Sequence, residues 1–194
     1  MTTPSRSSPD PASEIPDVGD LHLRYYPDPL LGKRCRPLGV PNRAAQACIQ
    51  RMIELMYEHQ GIGLAAPQVG WNARVFVTNV DPDGLTSEGD RVFIDPQLEP
   101  LSEVPEAEDE GCLSLPGIRL EVERATALRV QALGFDGEPY QLDAAGLLAR
   151  CIQHENDHLD GILITARVST LQRIAVRSKL RELKLQWDEQ ERRT

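Results

Sequence analysis

The stretch Cys151-Ile152-Gln153-His154-Glu155-Asn156-Asp157-His158-Leu159-Asp160-Gly161 contains the pattern H-E-x-x-H. The preceding residues 144–150 are typical of a helix that continues into this pattern. Residues four apart on a helix share a face, so His154 and His158 can direct two imidazoles at one metal ion. Glu155 then lies where it can act as a general base on a metal-bound water. The alternative is two helical histidines with a solvated glutamate between them.

Length and composition indicate one globular domain. The chain has 194 residues, of which 40% are apolar, and this suffices for an ordinary hydrophobic core. No apolar run approaches the roughly 18 residues that span a membrane, so we expect no membrane contact. Residues 1–16 are rich in Ser and Pro and do not resemble a signal or transit peptide. We predict a flexible tail over residues 1–18 and a single domain over residues 19–194.

The charge is distributed unevenly along the chain. The net charge of −9 argues against general or sequence-specific nucleic-acid binding. Residues 167–184 contain six Lys or Arg and one Glu, a net charge of +5, which leaves −14 for the rest of the chain. The basic end (residues 169–194, a predicted helix and tail) is therefore a candidate docking element, and the alternative is a solvated helix face.

Four cysteines, Cys35, Cys48, Cys112 and Cys151, show no spacing that suggests a disulfide framework. A chain of this size also does not need disulfides to fold. We therefore expect a reducing, cytoplasmic setting.

Periodicity and turn residues predict an α+β fold. Asn42 is a candidate N-cap for a helix to about His59, with an apolar stripe at spacings of three and four. Strands are predicted at residues 74–80, 91–94, 119–124, 127–133, 138–142 and 162–164. The acidic segment 103–109 is predicted to be a loop, and a final helix is predicted over residues 170–186. Helices that flank a run of antiparallel strands are typical of one α+β domain.

Residues 61–70 read G-I-G-L-A-A-P-Q-V-G and contain one polar side chain, Gln68. A phosphate-binding loop would have a following Lys and a preceding strand, and neither is present. Glycine allows the backbone to approach another group closely. The segment is therefore either one wall of a binding cleft, with the Gln68 amide directed into it, or a tight connection from helix to strand.

A catalytic metal site usually has three protein ligands and one open position. No histidine follows His158, and apart from Asp160 the downstream acids fall in or just after the predicted final helix. Cys112 follows a glycine between two predicted strands and is the better candidate for the third ligand. The alternative is a buried, inert thiol.

Three motifs resemble those of the peptide deformylase family. Residues 61–68 resemble its G-x-G-L-A-A-x-Q, residues 110–114 its E-G-C-L-S, and residues 154–161 its H-E-x-D-H-L-x-G. The motifs occur in the family's order and approximate spacing, and the likeness extends from about Tyr26 to the final helix. It implies antiparallel sheets around a central metal-binding helix, with an N-terminal and a C-terminal helix. It also implies hydrolysis of the N-formyl group of formylmethionyl nascent polypeptides by a metal-bound hydroxide, with release of formate.

The resemblance also implies roles for individual residues. The metal ligands would be Cys112, His154 and His158, and the ion would be Fe2+ in the cell, with Zn2+ or Ni2+ possible in the same site. Glu155 would move the proton. The Gln68 side chain and the Leu113 backbone N–H would donate hydrogen bonds to the oxyanion.

A methionine side chain requires a narrow apolar pocket. The candidates are Ile62, Gly63, Leu147 and Cys151. Leu147 and Cys151 precede His154 by seven and three residues and so share its helix face, although both could be ordinary core. The backbone of Gly63 and Leu64 could pair with the peptide as an added strand. Arg119 would contact the substrate or brace the loop.

Several further expectations follow from the same comparison of motifs. Glu110 and Arg124 are predicted to pair near the site. Ala166-Arg167 stands where family members often carry Asp-Arg, so a local contact should differ. The basic final helix fits docking on the ribosome, and the cytoplasm would be bacterial. The competing interpretations are a zincin-like metallopeptidase, in which Cys112 would be dispensable, and a non-catalytic, ribosome-associated paralogue.

Overall fold

The computed structural model of the chain describes residues 15–80 and 87–192. The helices are α1 (Arg43–Glu58), α2 (Gly146–Leu159), α3 (Thr170–Ala175) and α4 (Arg177–Glu191). The strands are β1 (Gly63–Ala65), β2 (Val75–Thr78), β3 (Arg91–Pro100), β4 (Pro105–Gly111), β5 (Arg119–Ala125), β6 (Ala127–Leu133) and β7 (Pro139–Ala145). The predicted α+β class is confirmed.

Two antiparallel sheets surround the helix that carries both histidines. The larger sheet has five strands in the order β1-β2-β3-β6-β7, and β4 pairs with β5 in a separate two-stranded sheet. Helix α2 contacts β1, β2, β6 and β7 of the first sheet and β5 of the second. It is therefore central, and β1 lies at an edge of the larger sheet beside it.

Helix α1 forms as its sequence predicts. The Asn42 side chain accepts a hydrogen bond of 2.9 Å from the backbone N–H of Ala45, which satisfies one of the free donors of the first turn. The predicted apolar stripe is buried throughout; its members are Ala45, Ile49, Met52, Ile53 and Met56. Burial of each larger side chain contributes roughly 1.5–3 kcal/mol to folding, so this face anchors α1 on β1 and β2.

Helix α2 follows directly from the β6–β7 hairpin, which forms as predicted. The helix ends at Leu159, and Gly161 in the turn after it has a φ of +72°, which favours glycine. A Cβ at this position would lie 2.7 Å from the carbonyl carbon and oxygen of Gly32. Gly161, the last residue of the stretch 154–161, is therefore required by backbone conformation and by close packing at once.

The acidic segment predicted to be a loop is instead strand β4. Its residues pair in register with β5, from Pro105 opposite Ala125 to Gly111 opposite Arg119. Six of its seven residues are exposed, and only Glu110 is buried. Such a strand has no apolar alternation, which is why periodicity did not predict it.

Strand β3 also extends further than predicted. It continues past Ile94 to Pro100, although Asp95-Pro96 was predicted to end it. The pairing with β6 shifts between Ile94 and Gln97, and Asp95 has a φ of +50°. This irregularity accommodates the proline, which has no N–H for the ladder.

Two predictions in the C-terminal region were wrong. The strand predicted at residues 162–164 is absent from the described region, and Ile164–Ala166 forms a 3-10 helix instead. The single final helix is broken at Val176 into α3 and α4. Leu183 of α4 is buried in a cluster with residues of β5, so α4 is packed against the domain.

The predicted N-terminal tail lies mostly outside the described residues. Of its last residues, Ile15 packs against the core that includes α1, and the Cys48 thiol donates a hydrogen bond of 3.4 Å to the Pro16 carbonyl. Packing of the chain therefore begins before residue 18.

Candidate metal centre and active site

Three potential ligands converge where α2 meets the turn that follows β4. One ligand atom each from Cys112, His154 and His158 lies within 4.8 Å of the others. The Cys112 sulfur is 3.3 Å from Nε2 of His158. Sulfur and nitrogen ligands at ordinary zinc bond lengths and tetrahedral angles are about 3.5 Å apart. The donor set and its spacing therefore fit a divalent metal ion.

His154 is held by a carboxylate. Its Nδ1 is 2.9 Å from Oε2 of Glu110, which leaves Nε2 for a metal. Arg124 donates from Nε and Nη2 to Glu110 at 3.0 Å, which confirms the predicted pair. Burial alone would raise the pKa of Glu110, but the hydrogen bonds with His154 and Arg124 lower it to about 2. Such a carboxylate fixes the orientation of the ring and increases its strength as a ligand.

The ionic contacts continue away from the histidine. Nη1 of Arg124 lies 2.6 Å from Oδ2 of Asp157, and Nε of Arg167 lies 2.9 Å from the same oxygen. Asp157 belongs to the H-E-x-x-H helix, so its charge is neutralised by arginines from two other segments. Arg167 contacts Asp157 although the residue before it is Ala166, where an Asp was expected from the resemblance.

Glu155 is buried beside the ligands. It is 4% exposed, and its Oε2 has no hydrogen-bond partner in the part of the chain that the structure describes. Burial raises the pKa of Glu155 to about 7. A bound cation would lower this pKa by its charge. A carboxylate that exchanges a proton near neutral pH suits a general base.

Gly63 leaves the space that Glu155 occupies. A Cβ on Gly63 would lie 2.5 Å from Oε1 of Glu155 and 2.7 Å from the Cys151 sulfur. A side chain at Gly63 would thus force Glu155 or Cys151 to shift. The glycine is therefore required by the position of the base.

The Gln68 side chain is oriented by two contacts. Its Oε1 accepts a hydrogen bond of 2.9 Å from the Ala65 backbone N–H, and its Nε2 donates to the Ser114 hydroxyl at 3.2 Å. Nε2 is also 3.6 Å from the Cys112 sulfur. The amide N–H2 is thus presented to the site of the proposed ion.

A cavity of about 510 Å³ opens onto these residues. It is lined by Cys112, His154, Glu155, Gln68 and Leu113, and by the predicted pocket residues Ile62, Gly63, Leu147, Cys151 and Arg119. The cavity therefore joins a metal site, a base and hydrogen-bond donors to a largely apolar wall.

The motifs and this geometry agree with the comparison to known families. The model of the polypeptide deformylase family matches residues 21–174. The chain belongs to the peptide deformylase family. It is 44% identical over 163 residues to peptide deformylase of Stutzerimonas stutzeri, which covers 84% of this chain and 95% of that protein. It is 44% identical over 160 residues to the enzyme of Pseudomonas aeruginosa, over 82% of this chain and 94% of that one.

Solved peptide deformylase structures share the fold. The structure from Plasmodium falciparum superposes with a TM-score of 0.80 at 34% identity and covers 87% of this chain and 98% of that one. Peptide deformylase 1B of Arabidopsis thaliana gives a TM-score of 0.81 at 34% identity, over 88% and 93%. The chain is thus a metal-dependent hydrolase that removes the N-formyl group from nascent peptides. Across the described residues, none of the helices combines the length and apolar character needed to cross a bilayer.

Most of the residues predicted for the site line this cavity. Leu147 is 52% exposed and Ile62 45% exposed at the cavity, so neither is core. Cys151 is buried, and its sulfur is 3.4 Å from the Ile62 carbonyl oxygen. Arg119 is exposed at the cavity and forms an ion pair with Asp109, so it is braced by its own hairpin.

Leu64 is not brought into the deformylase cavity. Its side chain is fully buried in the core beneath β1. The Asn79 N–H bonds the Ile62 carbonyl at 2.9 Å, and Leu64 lies opposite Val77. Hydrogen-bonded and open pairs alternate along an antiparallel ladder, so the backbone groups of Leu64 face β2. Those of Gly63 face the open edge.

Two residues of the site were missed by sequence reasoning. Ser114 orients the Gln68 amide, and Arg150 donates from Nη1 to Glu110 at 2.8 Å. Ser114 could have been suspected, because it is the polar member of the second deformylase motif. Arg150 lies one helical turn before His154, and a charged residue on that buried face was the available signal.

Proposed function

We propose that Cys112, His154 and His158 hold one divalent metal ion in this deformylase. In this proposal Glu155, Gln68 and Leu113 act on the N-formyl group of a formylmethionyl nascent chain. The observation that carries the proposal is the convergence of one thiol and two imidazoles beside a cavity lined by Cys112, His154 and Glu155. The buried Oε2 of Glu155 has no hydrogen-bond partner among the described residues.

The substrate would bind as an added strand along β1. The open backbone groups of Gly63 can pair with an extended peptide, which is a common mode of peptide recognition. The missing side chain of Gly63 leaves room for Glu155 directly beside this strand. Apolar contacts with Ile62, Leu147 and Cys151 would then hold the methionine side chain, and Arg119 would lie beside the following residues.

The chemistry needs a stronger nucleophile and a stabilised oxyanion, because a formamide is a poor electrophile. When bound, a divalent cation supplies Lewis acidity, which lowers the pKa of water and polarises the carbonyl. Glu155 accepts a proton from the attacking water and returns it to the departing amine. Nε2 of Gln68 and the Leu113 N–H donate to the oxyanion, and loss of one such donor typically costs about 3 kcal/mol of barrier. The products are formate and a free N-terminal methionine.

We propose Fe2+ as the ion in the cell. A ligand set with a thiolate is softer than sets of histidine and carboxylate, and it also accepts Zn2+ or Ni2+. Metal analysis of protein isolated under strictly anaerobic conditions tests the assignment. A stoichiometric content of zinc, with iron absent, would contradict it.

We also propose that the chain works in a bacterial cytoplasm and contacts the ribosome through α3 and α4. Cys35, Cys48, Cys112 and Cys151 are all free, as expected in a reducing compartment. Arg173, Arg177, Arg181 and Lys184 line one groove, and their charge suits a phosphate backbone. Substitution of Arg177 and Arg181 by Gln should abolish co-sedimentation with ribosomes, and unchanged co-sedimentation would contradict the docking. These substitutions leave the buried Leu183 in place, whereas truncation of the C-terminal helices would remove it from the core.

The function is tested by anaerobic release of formate from a formyl-Met-Ala peptide. Wild type should release formate, whereas Glu155→Ala should bind metal normally and lose at least about 100-fold in kcat, because general base catalysis contributes 10²–10⁴-fold. Glu138→Ala, the same change at an exposed hairpin position, should behave as wild type. The assignment of Glu155 fails if its variant retains full activity.

The same assay separates the alternative functions. A zincin-like peptidase would use a different third ligand, so Cys112→Ser would keep metal and activity. A non-catalytic paralogue would bind metal and release no formate. Membership of the deformylase family and the position of Cys112 among the ligands favour neither alternative.

A further inference from the structure

Arg150 is a buried guanidinium that the reaction itself does not use. It is 7% exposed and lies on α2, four residues before His154. Its Nη1 donates to Oε1 of Glu110 and to the Val122 carbonyl, each at 2.8 Å. Its Nη2 donates to the Glu106 carbonyl at 2.8 Å, and its Nε lies 3.1 Å from Oε2 of Glu108.

These partners belong to the strands that lead to the third ligand. Glu106, Glu108 and Glu110 are on β4, and Val122 is on the paired strand β5. Cys112 follows the last residue of β4 directly. Arg150 therefore connects the helix that carries both histidines to the strand that delivers the thiol.

Arg150 also reaches His154 through one intermediate. Oε1 of Glu110 accepts from Arg150, and Oε2 is in contact with Nδ1 of His154. The carboxylate is thus held by the guanidinium groups of Arg150 and Arg124 and by the imidazole. A displacement of Glu110 would rotate the ring away from the position that the other two ligands define.

We infer that Arg150 is a positioning residue of the metal centre. It fixes the Glu110 carboxylate that orients His154, and it sets the distance between β4, with Cys112 at its end, and α2. The inference rests on the proposed metal centre. It extends that centre to a residue that is neither a ligand nor in the reaction.

The planar fork of arginine is essential to this role. Its rigid donors serve a carboxylate and two carbonyl groups at fixed angles, whereas a lysine ammonium acts as a single point charge. Arg150→Lys would keep the charge but could not hold Glu110, Val122 and Glu106 together. Metal affinity should therefore depend on the guanidinium geometry, and a purely stabilising role would not produce that dependence.

The test is Co2+ binding by wild type, Arg150→Gln and Arg150→Lys. Affinity is measured by competition with a chelator, and the thiolate-to-Co2+ absorption band reports the ligand geometry. Thermal unfolding of each metal-free protein measures stability separately. Arg129→Gln is the matched control, because Arg129 makes an ion pair with Asp143 on the exposed face of the β6–β7 hairpin.

Arg150→Gln should lose about 10- to 100-fold in Co2+ affinity and shift the absorption band, as is typical when a contact behind a ligand is removed. Arg150→Lys should lie between this variant and wild type, and Arg129→Gln should stay within twofold of wild type. Wild-type affinity and spectrum in both Arg150 variants would overturn the inference, even if their unfolding temperature fell. If Arg150→Gln does not fold, Arg150→Lys decides by the same criterion. Failure of wild type to bind Co2+ would instead overturn the metal centre itself.

Discussion

The two histidines of the proposed metal centre lie four residues apart on one helix and have very different surroundings. His154 and His158 are both buried, and their ring centroids are 5.1 Å apart. Nδ1 of His154 is in contact with Glu110, whereas Nδ1 of His158 has no hydrogen-bond partner among residues 15–80 and 87–192. Helical periodicity determines which way each ring points, and tertiary contacts determine what supports it.

The pKa values of the two imidazole rings are also shifted in opposite directions. Burial favours the neutral form of His154, but hydrogen bonds with Cys112 and Glu110 outweigh it and raise the pKa of His154 well above its ordinary value. Burial and the neighbouring His154 lower the pKa of His158 well below its ordinary value. The chain of charges from Glu110 to Arg167 meets the proposed metal site at the contact between Glu110 and His154. Substitutions along that chain should have effects that decline with distance from the ring.

The largest effect is expected for Glu110→Gln. This change removes the negative partner of His154 and of two buried arginines, Arg124 and Arg150. Loss of one partner of a buried ion pair typically costs about 3–5 kcal/mol, and loss of the contact behind a ligand costs about 10- to 100-fold in metal affinity. Urea unfolding and chelator competition measure the two quantities. Unchanged metal affinity would mean that the two histidines are equivalent despite their surroundings.

A smaller effect is expected for Asp157→Asn. Asp157 is buried and binds Arg124, but it lies one contact further from His154 than Glu110 does. Its loss should destabilise the fold by about 3 kcal/mol, because Arg124 loses one of its two carboxylates. Metal affinity should fall less than in Glu110→Gln, as measured by the same competition assay. An equal or larger fall in metal affinity would show that the effect of these charges does not decline with distance from His154.

The smallest effect is expected for Arg167→Gln. The Arg167 side chain is 44% exposed, so its ion pair with Asp157 is partly screened by water. It should contribute no more than about 1 kcal/mol, and metal affinity should stay within twofold of wild type. A cycle with Asp157→Asn isolates the pair energy. A coupling energy above about 2 kcal/mol would place Arg167 among the buried supports of His154.

Much of this site was predictable because its residues are local in sequence. The i, i+4 spacing of the histidines, the position of Cys112 after a glycine, and the single amide of residues 61–70 could all be read directly. Family motifs assigned roles to these residues. Helix α1 was predictable for a similar reason, since its N-cap and its apolar stripe both lie within one continuous segment of the sequence.

The parts that could not be predicted depend on partners distant in the chain. Strand β4 is almost wholly exposed, so only its pairing with β5 reveals it. Leu64 was assigned to the substrate because its segment is flat and apolar, but the register with β2 decides which backbone groups are free. Arg150 is a buried charged residue, and the acceptors that satisfy its guanidinium lie on two strands distant in the sequence.

The short strand β1 bears on how one enzyme can serve a whole proteome. Every nascent chain has the same main-chain N–H and C=O groups, whatever its side chains are. In the proposed binding mode, the edge strand offers those groups a partner without reference to sequence, and its three residues limit the contact to the first few residues of the peptide. Side-chain discrimination is then confined to the one residue that all substrates share, the initiator methionine. A longer edge would bind every peptide more tightly, and release would then be slower for all of them alike.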